Sequence, residues 1–100
     1  MKYTQLTNDY KYQHLANAIY AREVEYFHYD FDRINFEHML KNLPDGDFKT
    51  NIEERIEDTK KQMNNVISVL NALKNQIDDE EQYEKAVKIV STNREKGETK

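Results

Sequence analysis

From Ile52 to Ile77 the chain reads IEERIEDTKKQMNNVISVLNALKNQI, and this stretch carries the best-defined periodic pattern of the sequence. Its seam positions, including one threonine, recur at spacings that alternate between four and three residues; they are Ile52, Ile56, Thr59, Met63, Val66, Leu70, Leu73 and Ile77. A heptad repeat of this kind places one narrow apolar seam along a helix. Because such a seam is buried only when another helix lies along it, the stretch predicts a helix with a helical partner.

The segment before this stretch has the residues of a turn and of a helix start. Residues 41–47 hold the only proline and one of the two glycines, next to Asp and Asn, and these residue types favour tight turns. Asp47 can cap the following helix, and Thr50 with Glu53 matches the capping-box pattern of a hydroxyl followed by Glu. We predict a turn over about 42–47 and a helix over about 48–77.

A second long helix precedes the turn and carries most of the aromatic residues. Nine of the eleven aromatic side chains lie between Tyr3 and Phe36, in a segment without Gly or Pro. Residues 7–9, Thr-Asn-Asp, are of the types that cap a helix N-terminus. We predict a helix over about 8–41, roughly 50 Å long at about 1.5 Å per residue.

The apolar residues of this first helix form two stripes on a helical wheel. One stripe consists of Tyr12, Leu15, Ile19, Tyr26 and Leu40. The other begins at Ala16 and supplies the predicted interface residues, which are Tyr20, Val24, Phe27, Phe31, Ile34 and His38. A hairpin partner with a single seam covers one stripe well and the other only at its edge. The uncovered stripe must therefore meet the third helix or another chain.

The residues after the heptad stretch predict a short third helix. Residues 78–81, Asp-Asp-Glu-Glu, indicate a new N-terminus, because carboxylates there meet the positive end of the helix dipole. Asp79 with Gln82 resembles another capping box, and a short apolar stripe follows in Tyr83, Ala86, Val87 and Val90. We predict a helix over about 79–92, with a kinked continuation of the preceding helix as the alternative. The polar residues 93–100 are predicted to be disordered.

Together these elements predict an all-α fold in a single helical domain over residues 1–100. The architecture is a long antiparallel helical hairpin plus a short C-terminal helix, and we expect two copies to complete a four-helix bundle by dimerisation. A chain of 100 residues buries only roughly 60 to 65% of its unfolded surface, so an oligomer would add stability. The alternative is a monomeric three-helix bundle with exposed tyrosines.

The composition excludes several classes of function. The net charge is −4, and no segment is basic enough to neutralise several phosphates, so we expect no nucleic-acid partner. Without cysteine there is no disulfide, thiolate nucleophile or Cys-based zinc site. No apolar run approaches the roughly 18 residues that cross a bilayer, and the N-terminus lacks a signal-peptide stretch, which predicts a soluble, cytoplasmic protein. The ten Asn, with many Lys and Ile, are typical of AT-rich bacterial or phage genomes.

A row of acidic residues lies between the two stripes of the first helix. Glu23, Asp30 and Glu37 follow one another at intervals of seven residues. Carboxylates lined along a partly buried face can bind metal. However, Arg33 lies three residues after Asp30 and four before Glu37, where it can pair with both. We therefore predict internal ion pairs, which fix the register between helices more than they add stability.

The sharpest chemical pattern is Glu25-x-x-His28 followed by Asp32, which puts two carboxylates and an imidazole on one helical face. It is similar to the Glu-x-x-His element of di-iron carboxylate bundles, in which one helical turn aims both side chains at the same ion. Those bundles need a second such element, but no histidine follows His38, so only a symmetric dimer would supply it. Glu25, His28 and Asp32 are thus weak metal-ligand candidates.

The function that the sequence favours is that of a small non-enzymatic helical interaction or structural protein. We expect it to act as a homodimer or through a protein partner, without a cofactor. Ser68 and Ser91 have no His or Asp near them in sequence, and there is no Gly-rich turn for a phosphate or oxyanion site, so no catalytic residue is predicted. The open roles are an adaptor or chaperone and a subunit of an assembly such as a phage particle. The alternative function is a metal-binding helical bundle with redox or storage activity.

Overall fold

A computed structural model describes residues 7–98 of the chain, with side chains from Tyr10 to Lys96. The described residues form three helices, α1 (Thr7–Leu40), α2 (Asp47–Lys74) and α3 (Glu80–Glu98), and no strand. The all-α fold class is confirmed, and the helix packing is that of a bundle. Over these three helices, no stretch combines the length and the apolar character that crossing a membrane requires.

The helices build two compact units, and α1 and α2 each contribute to both. Among the described residues, the first unit consists of residues 7–21 and 71–98, and we call it the terminal unit. The second consists of residues 22–70, and we call it the hairpin unit. Each unit has its own set of buried side chains.

The core of the hairpin unit lies along one face of α2. Its buried residues are Ile52, Ile56, Thr59, Met63 and Val66, which confirms the predicted seam over this part of the helix. Half-buried side chains of α1 recur with the same alternating spacing, and they are Arg22, Tyr26, Tyr29, Arg33, Phe36 and Leu40. Two rows with this spacing allow the close packing of a helical hairpin. The buried Thr59 hydroxyl donates to the Arg55 carbonyl at 2.7 Å, so the polar group in the seam is satisfied.

The turn between α1 and α2 depends on Gly46. Its φ angle is +150°, in the region that favours glycine because a side chain there strains the backbone. The Gly46 carbonyl accepts both the Thr50 N–H at 3.1 Å and the Thr50 hydroxyl at 3.2 Å. Gly46 is therefore the residue that precedes and caps α2. The predicted capping box at Thr50 is wrong, because Thr50 lies one turn inside the helix and its hydroxyl donates backwards.

The described part of α1 runs from Thr7, the first described residue, to Leu40. The predicted start at about residue 8 stays a prediction, because the residues before Thr7 lie outside the described part of the chain. Residues 7–9 were predicted to cap this helix, and their side chains lie outside the described part of the structure. Tyr3, one of the nine aromatic residues of this segment, also lies outside it.

The terminal unit is centred on Tyr12 of α1. Tyr12 is only 2% exposed and forms a buried cluster with Leu15 and with Ala86 of α3. Partly buried side chains that pack against this cluster are Leu73, Ile77 and Tyr83. The Tyr12 hydroxyl donates a hydrogen bond to the carboxylate of Asp78, in the connection between α2 and α3. The first stripe predicted on α1 is therefore buried in this unit through Tyr12, Leu15 and Ile19.

A separate third helix follows α2. α2 ends at Lys74, before the predicted end at about residue 77. After it, the backbone N–H groups of Gln76 and Ile77 donate hydrogen bonds to carbonyls three residues back, which tightens the end of the helix. Asp79 then caps α3, because its carboxylate accepts the Gln82 N–H at 3.1 Å and its carbonyl accepts the Tyr83 N–H at 3.0 Å. The predicted cap at Asp79 is confirmed, but the second bond of a capping box is not formed, because Gln82 Oε1 is buried without a hydrogen-bond partner. The alternative of a kinked continuation is wrong.

α3 is longer than its apolar stripe predicted. The helix continues to Glu98, which corrects the disorder that we predicted for residues 93–98. Arg94 provides the physical reason. Its guanidinium carbon lies 3.4 Å from the centroid of the Tyr20 ring, and its Nη2 donates to Asn17 Oδ1 at 3.3 Å. These contacts tie the last turns of α3 to α1, whereas the final two residues of the chain lie outside the described ones.

Replacing Asp79 by Ala is expected to lower the free energy of unfolding by about 0.5–2 kcal/mol, because the Gln82 N–H loses its acceptor. Urea unfolding followed by far-UV circular dichroism measures the change. Glu80→Ala is the matched control, since Glu80 lies in the first turn of α3 and acts on the helix dipole alone. An equal loss in the two variants would contradict capping by Asp79.

Candidate interaction surface

The hairpin unit exposes a row of large apolar side chains on α1. Phe27 is 70% exposed, Phe31 is 60% exposed and Ile34 is 40% exposed, and the half-buried Val24 lies one turn before Phe27. We call these four residues the phenylalanine face. On a helical wheel the face points roughly 150° away from the half-buried row that begins at Arg22. The side of α1 that the hairpin covers is thus nearly opposite to the side that carries the two phenylalanines.

The exposed area of the two phenylalanines follows from their exposed fractions. A phenylalanine that is fully buried loses roughly 150–250 Å² of surface, so the exposed parts of Phe27 and Phe31 together amount to roughly 250 Å². At about 25 cal/mol per Å², covering this area would contribute at most about 6 kcal/mol before the costs of association. Contiguous apolar surface of this kind marks contact sites more often than single exposed residues do.

One edge of the phenylalanine face is acidic and internally paired. Arg33 donates from Nη2 to Asp30 Oδ1 at 2.8 Å and from Nη1 to Glu37 Oε2 at 2.8 Å. The hydrogen bond to Asp30, and to a smaller extent the one to Glu37, raises the pKa of Arg33 above its ordinary value. The predicted ion pairs of Arg33 with both carboxylates are confirmed. The third acidic residue of this row, Glu23, is exposed.

The other edge holds two of the three candidate metal ligands. His28 and Asp32 line a shallow open depression together with Phe27 and Phe31. Glu25 is instead engaged in an ion pair with Arg22 at 3.2 Å. Over residues 10–96 no three His, Asp or Glu side chains form a group that could hold a metal ion. The lining of the depression thus combines two apolar side chains, Phe27 and Phe31, with two polar ones, His28 and Asp32.

The remaining predicted interface residues lie at the two ends of the second stripe. His38 is exposed in the last turn of α1. Tyr20 belongs to the terminal unit, where the guanidinium of Arg94 covers its ring. Sequence reasoning missed Arg94 because the polar segment around it has no apolar anchor. The signal that could have revealed it is the spacing of four residues between the buried Val90 and Arg94, which places both on one side of α3.

Other exposed apolar side chains of the described residues do not form such a row. The large ones outside the second stripe are Tyr10, Met39, Phe48, Ile67, Val69 and Ile89. Single exposed apolar residues are normal on soluble proteins. Phe27, Phe31 and Ile34 differ from them because spacings of four and three residues make them neighbours on one helix.

The chain matches no protein-family model, no curated protein and no solved structure.

Proposed function

We propose that this protein is a small non-enzymatic helical interaction or structural protein that acts by self-association through the phenylalanine face. The observation that carries the proposal is the exposure of Phe27 and Phe31, side by side on α1. Aromatic side chains supply large apolar area with few rotatable bonds, and they dominate the energetics of protein contacts. A second helix lying along α1 would remove them from water.

The occupant that we propose is a second copy of this chain. Two hairpin units, each contributing parts of α1 and α2, would together form a four-helix arrangement with the phenylalanine faces at its centre. Such an assembly gives each face a partner of the same apolar character. The homodimer suits a structural subunit of a larger assembly or an adaptor, and these roles need no cofactor and no catalytic residue.

The double variant Phe27→Ala/Phe31→Ala is expected to raise the dissociation constant of the dimer by more than about tenfold, because hot-spot aromatics contribute about 2 kcal/mol or more to an interface. Sedimentation equilibrium over a range of chain concentrations measures the constant. Ala is a good helix former, so α1 should keep its helicity, and far-UV circular dichroism checks this.

The matched control is Phe48→Ala. Phe48 is 58% exposed and lies in the same unit, but on the first turn of α2. Its replacement should leave the dissociation constant of the dimer unchanged within about twofold. The proposal fails if the natural chain sediments as a monomer at every concentration, or if Phe48→Ala weakens the dimer as strongly as the double variant does.

A further inference from the structure

The turn between α1 and α2 contains the dipeptide Asp45-Gly46, and both of its residues lie outside the helices. The Asp45 side chain is 97% exposed, and Gly46 is exposed as well. Within the described residues 7–98, the backbone N–H of Gly46 donates to no acceptor. A carboxyl group and a free backbone nitrogen are thus neighbours in the chain, at a place that water reaches.

These two groups can condense with each other. The carboxyl carbon of an Asp side chain, Cγ, can reach the backbone nitrogen of the next residue, because a bond between them closes a five-membered ring. A side chain on the next residue crowds that nitrogen. Gly46 has none, and apart from its chain neighbours no atom lies within 4 Å of the place where a Cβ would be. The structure therefore leaves the Gly46 nitrogen open to the carboxyl group of Asp45.

We propose that Asp45 is a site of spontaneous isomerisation to isoaspartate. The Gly46 nitrogen bonds to Asp45 Cγ, and the carboxyl hydroxyl leaves as water with the amide proton, which gives a cyclic succinimide. Water from the solvent then opens the ring at either of its carbonyls. Opening at Cγ restores Asp45, and opening at the main-chain carbonyl leaves Gly46 attached through Cγ. No atom is oxidised or reduced, and water is the only other reactant.

Lys49 restrains the reacting side chain. Its Nζ donates to Asp45 Oδ1 at 3.0 Å from the first turn of α2. This hydrogen bond raises the pKa of Lys49 above its ordinary value. Because an exposed ion pair contributes little free energy, we expect it to slow ring closure by no more than about twofold. The pair therefore does not prevent the reaction.

Asp47 provides a comparison two residues later. It is the first residue of α2, and it is followed by Phe48, whose side chain crowds the nitrogen. Ring closure also requires a ψ angle at the Asp that differs from the helical value, so Asp47 must leave the helix before it reacts. We expect Asp45 to convert at least about tenfold faster than Asp47.

The product alters the connection between the two helices. Isoaspartate adds one carbon to the main chain directly before Gly46, whose carbonyl accepts the Thr50 N–H at the start of α2. The change accumulates with time, so it distinguishes old chains from newly made ones. It needs no second chain, and it is therefore independent of the proposed self-association.

Ageing the natural chain and mapping its peptides tests the proposal. The chain is kept for several weeks at physiological temperature and near-neutral pH, and trypsin then cuts after Lys41 and Lys49. The resulting peptide, residues 42–49, contains both Asp45 and Asp47. Chromatography separates isomers of equal mass, and electron-transfer fragmentation identifies the isomerised residue. An unaged sample, digested in parallel, gives the amount that forms during digestion.

The expected result is a fraction of isoaspartate that grows with time at Asp45 and is at least about tenfold smaller at Asp47. Asp45→Glu should show no conversion, because its ring would have six members and closes far more slowly. Asp45→Asn should convert faster than the natural chain, since it loses ammonia, which needs no protonated carboxyl group.

Three results would overturn the proposal. The first is an aged natural chain with no more isoaspartate at Asp45 than the unaged sample. The second is equal conversion at Asp45 and Asp47, which would show that the turn gives Asp45 no advantage. The third is an Asp45→Asn chain that stays unconverted, which would show that the fold blocks ring closure at this position.

Discussion

Replacing Ile56 by Ala is expected to lower the free energy of unfolding by about 2–5 kcal/mol, because it leaves a cavity in the seam of α2. Ile56 is 5% exposed and lies within the buried row of the hairpin unit, between Ile52 and Thr59. A loss of this size is a large part of the stability of a small domain, which is about 5–15 kcal/mol. Urea unfolding, measured by far-UV circular dichroism at a fixed chain concentration, gives the change.

The matched control for Ile56 is Ile67 on the same helix. Ile67 is 39% exposed, so Ile67→Ala should cost less than about 1.5 kcal/mol. The comparison removes helix propensity from the result, since both variants change isoleucine to alanine within α2. Equal losses in the two variants would show that the seam is not the core of the hairpin unit.

Replacing Tyr12 by Ala is expected to lower the free energy of unfolding by about 3–5 kcal/mol, because the largest fully buried side chain of the terminal unit is removed. Tyr12→Phe keeps the ring and loses only the hydroxyl that donates to Asp78, so it should cost about 0.5–1.5 kcal/mol. The two variants together separate the packing of the ring from its hydrogen bond. The same urea unfolding experiment measures both.

Tyr10→Ala is the control for the Tyr12 variants. Tyr10 lies two residues earlier on α1 and is largely exposed, so its replacement should change the free energy of unfolding by less than about 1 kcal/mol. If Tyr10→Ala and Tyr12→Ala destabilise the chain equally, Tyr12 does not occupy the centre of the terminal unit.

Sequence reasoning predicted the parts of the fold that depend on the spacing of apolar residues along a helix and on the residue types of turns. The alternating seam of α2 requires one buried face, and the structure buries that face from Ile52 to Val66. The turn with Pro44 and Gly46 ends one helix and precedes the next. Both features are local, because periodicity and backbone conformation are encoded within a few residues.

The parts that sequence reasoning missed depend on contacts between residues far apart in the chain. α3 extends beyond its apolar stripe, and Arg94 contacts Asn17 and Tyr20 of α1. The four-residue spacing from Val90 indicates only the side of α3 on which Arg94 lies, and it does not specify which residues of α1 the arginine contacts. The hydrogen bond from Tyr12 to Asp78 was missed for the same reason, since 66 residues separate the two positions.

The candidate surface was predicted in part. The wheel separated the second stripe of α1 from the first, and the structure leaves Phe27, Phe31 and Ile34 of that stripe exposed. The wheel did not predict that Tyr20 would lie beneath Arg94. The occupant of the phenylalanine face stays a prediction, because a single chain does not contain its partner.

The mass of the natural chain in solution shows whether a second copy covers Phe27 and Phe31. Sedimentation equilibrium should give a mass that rises with concentration from the 12.0 kDa of one chain towards twice that value. A mass that remains at 12.0 kDa up to the highest soluble concentration would contradict the claim.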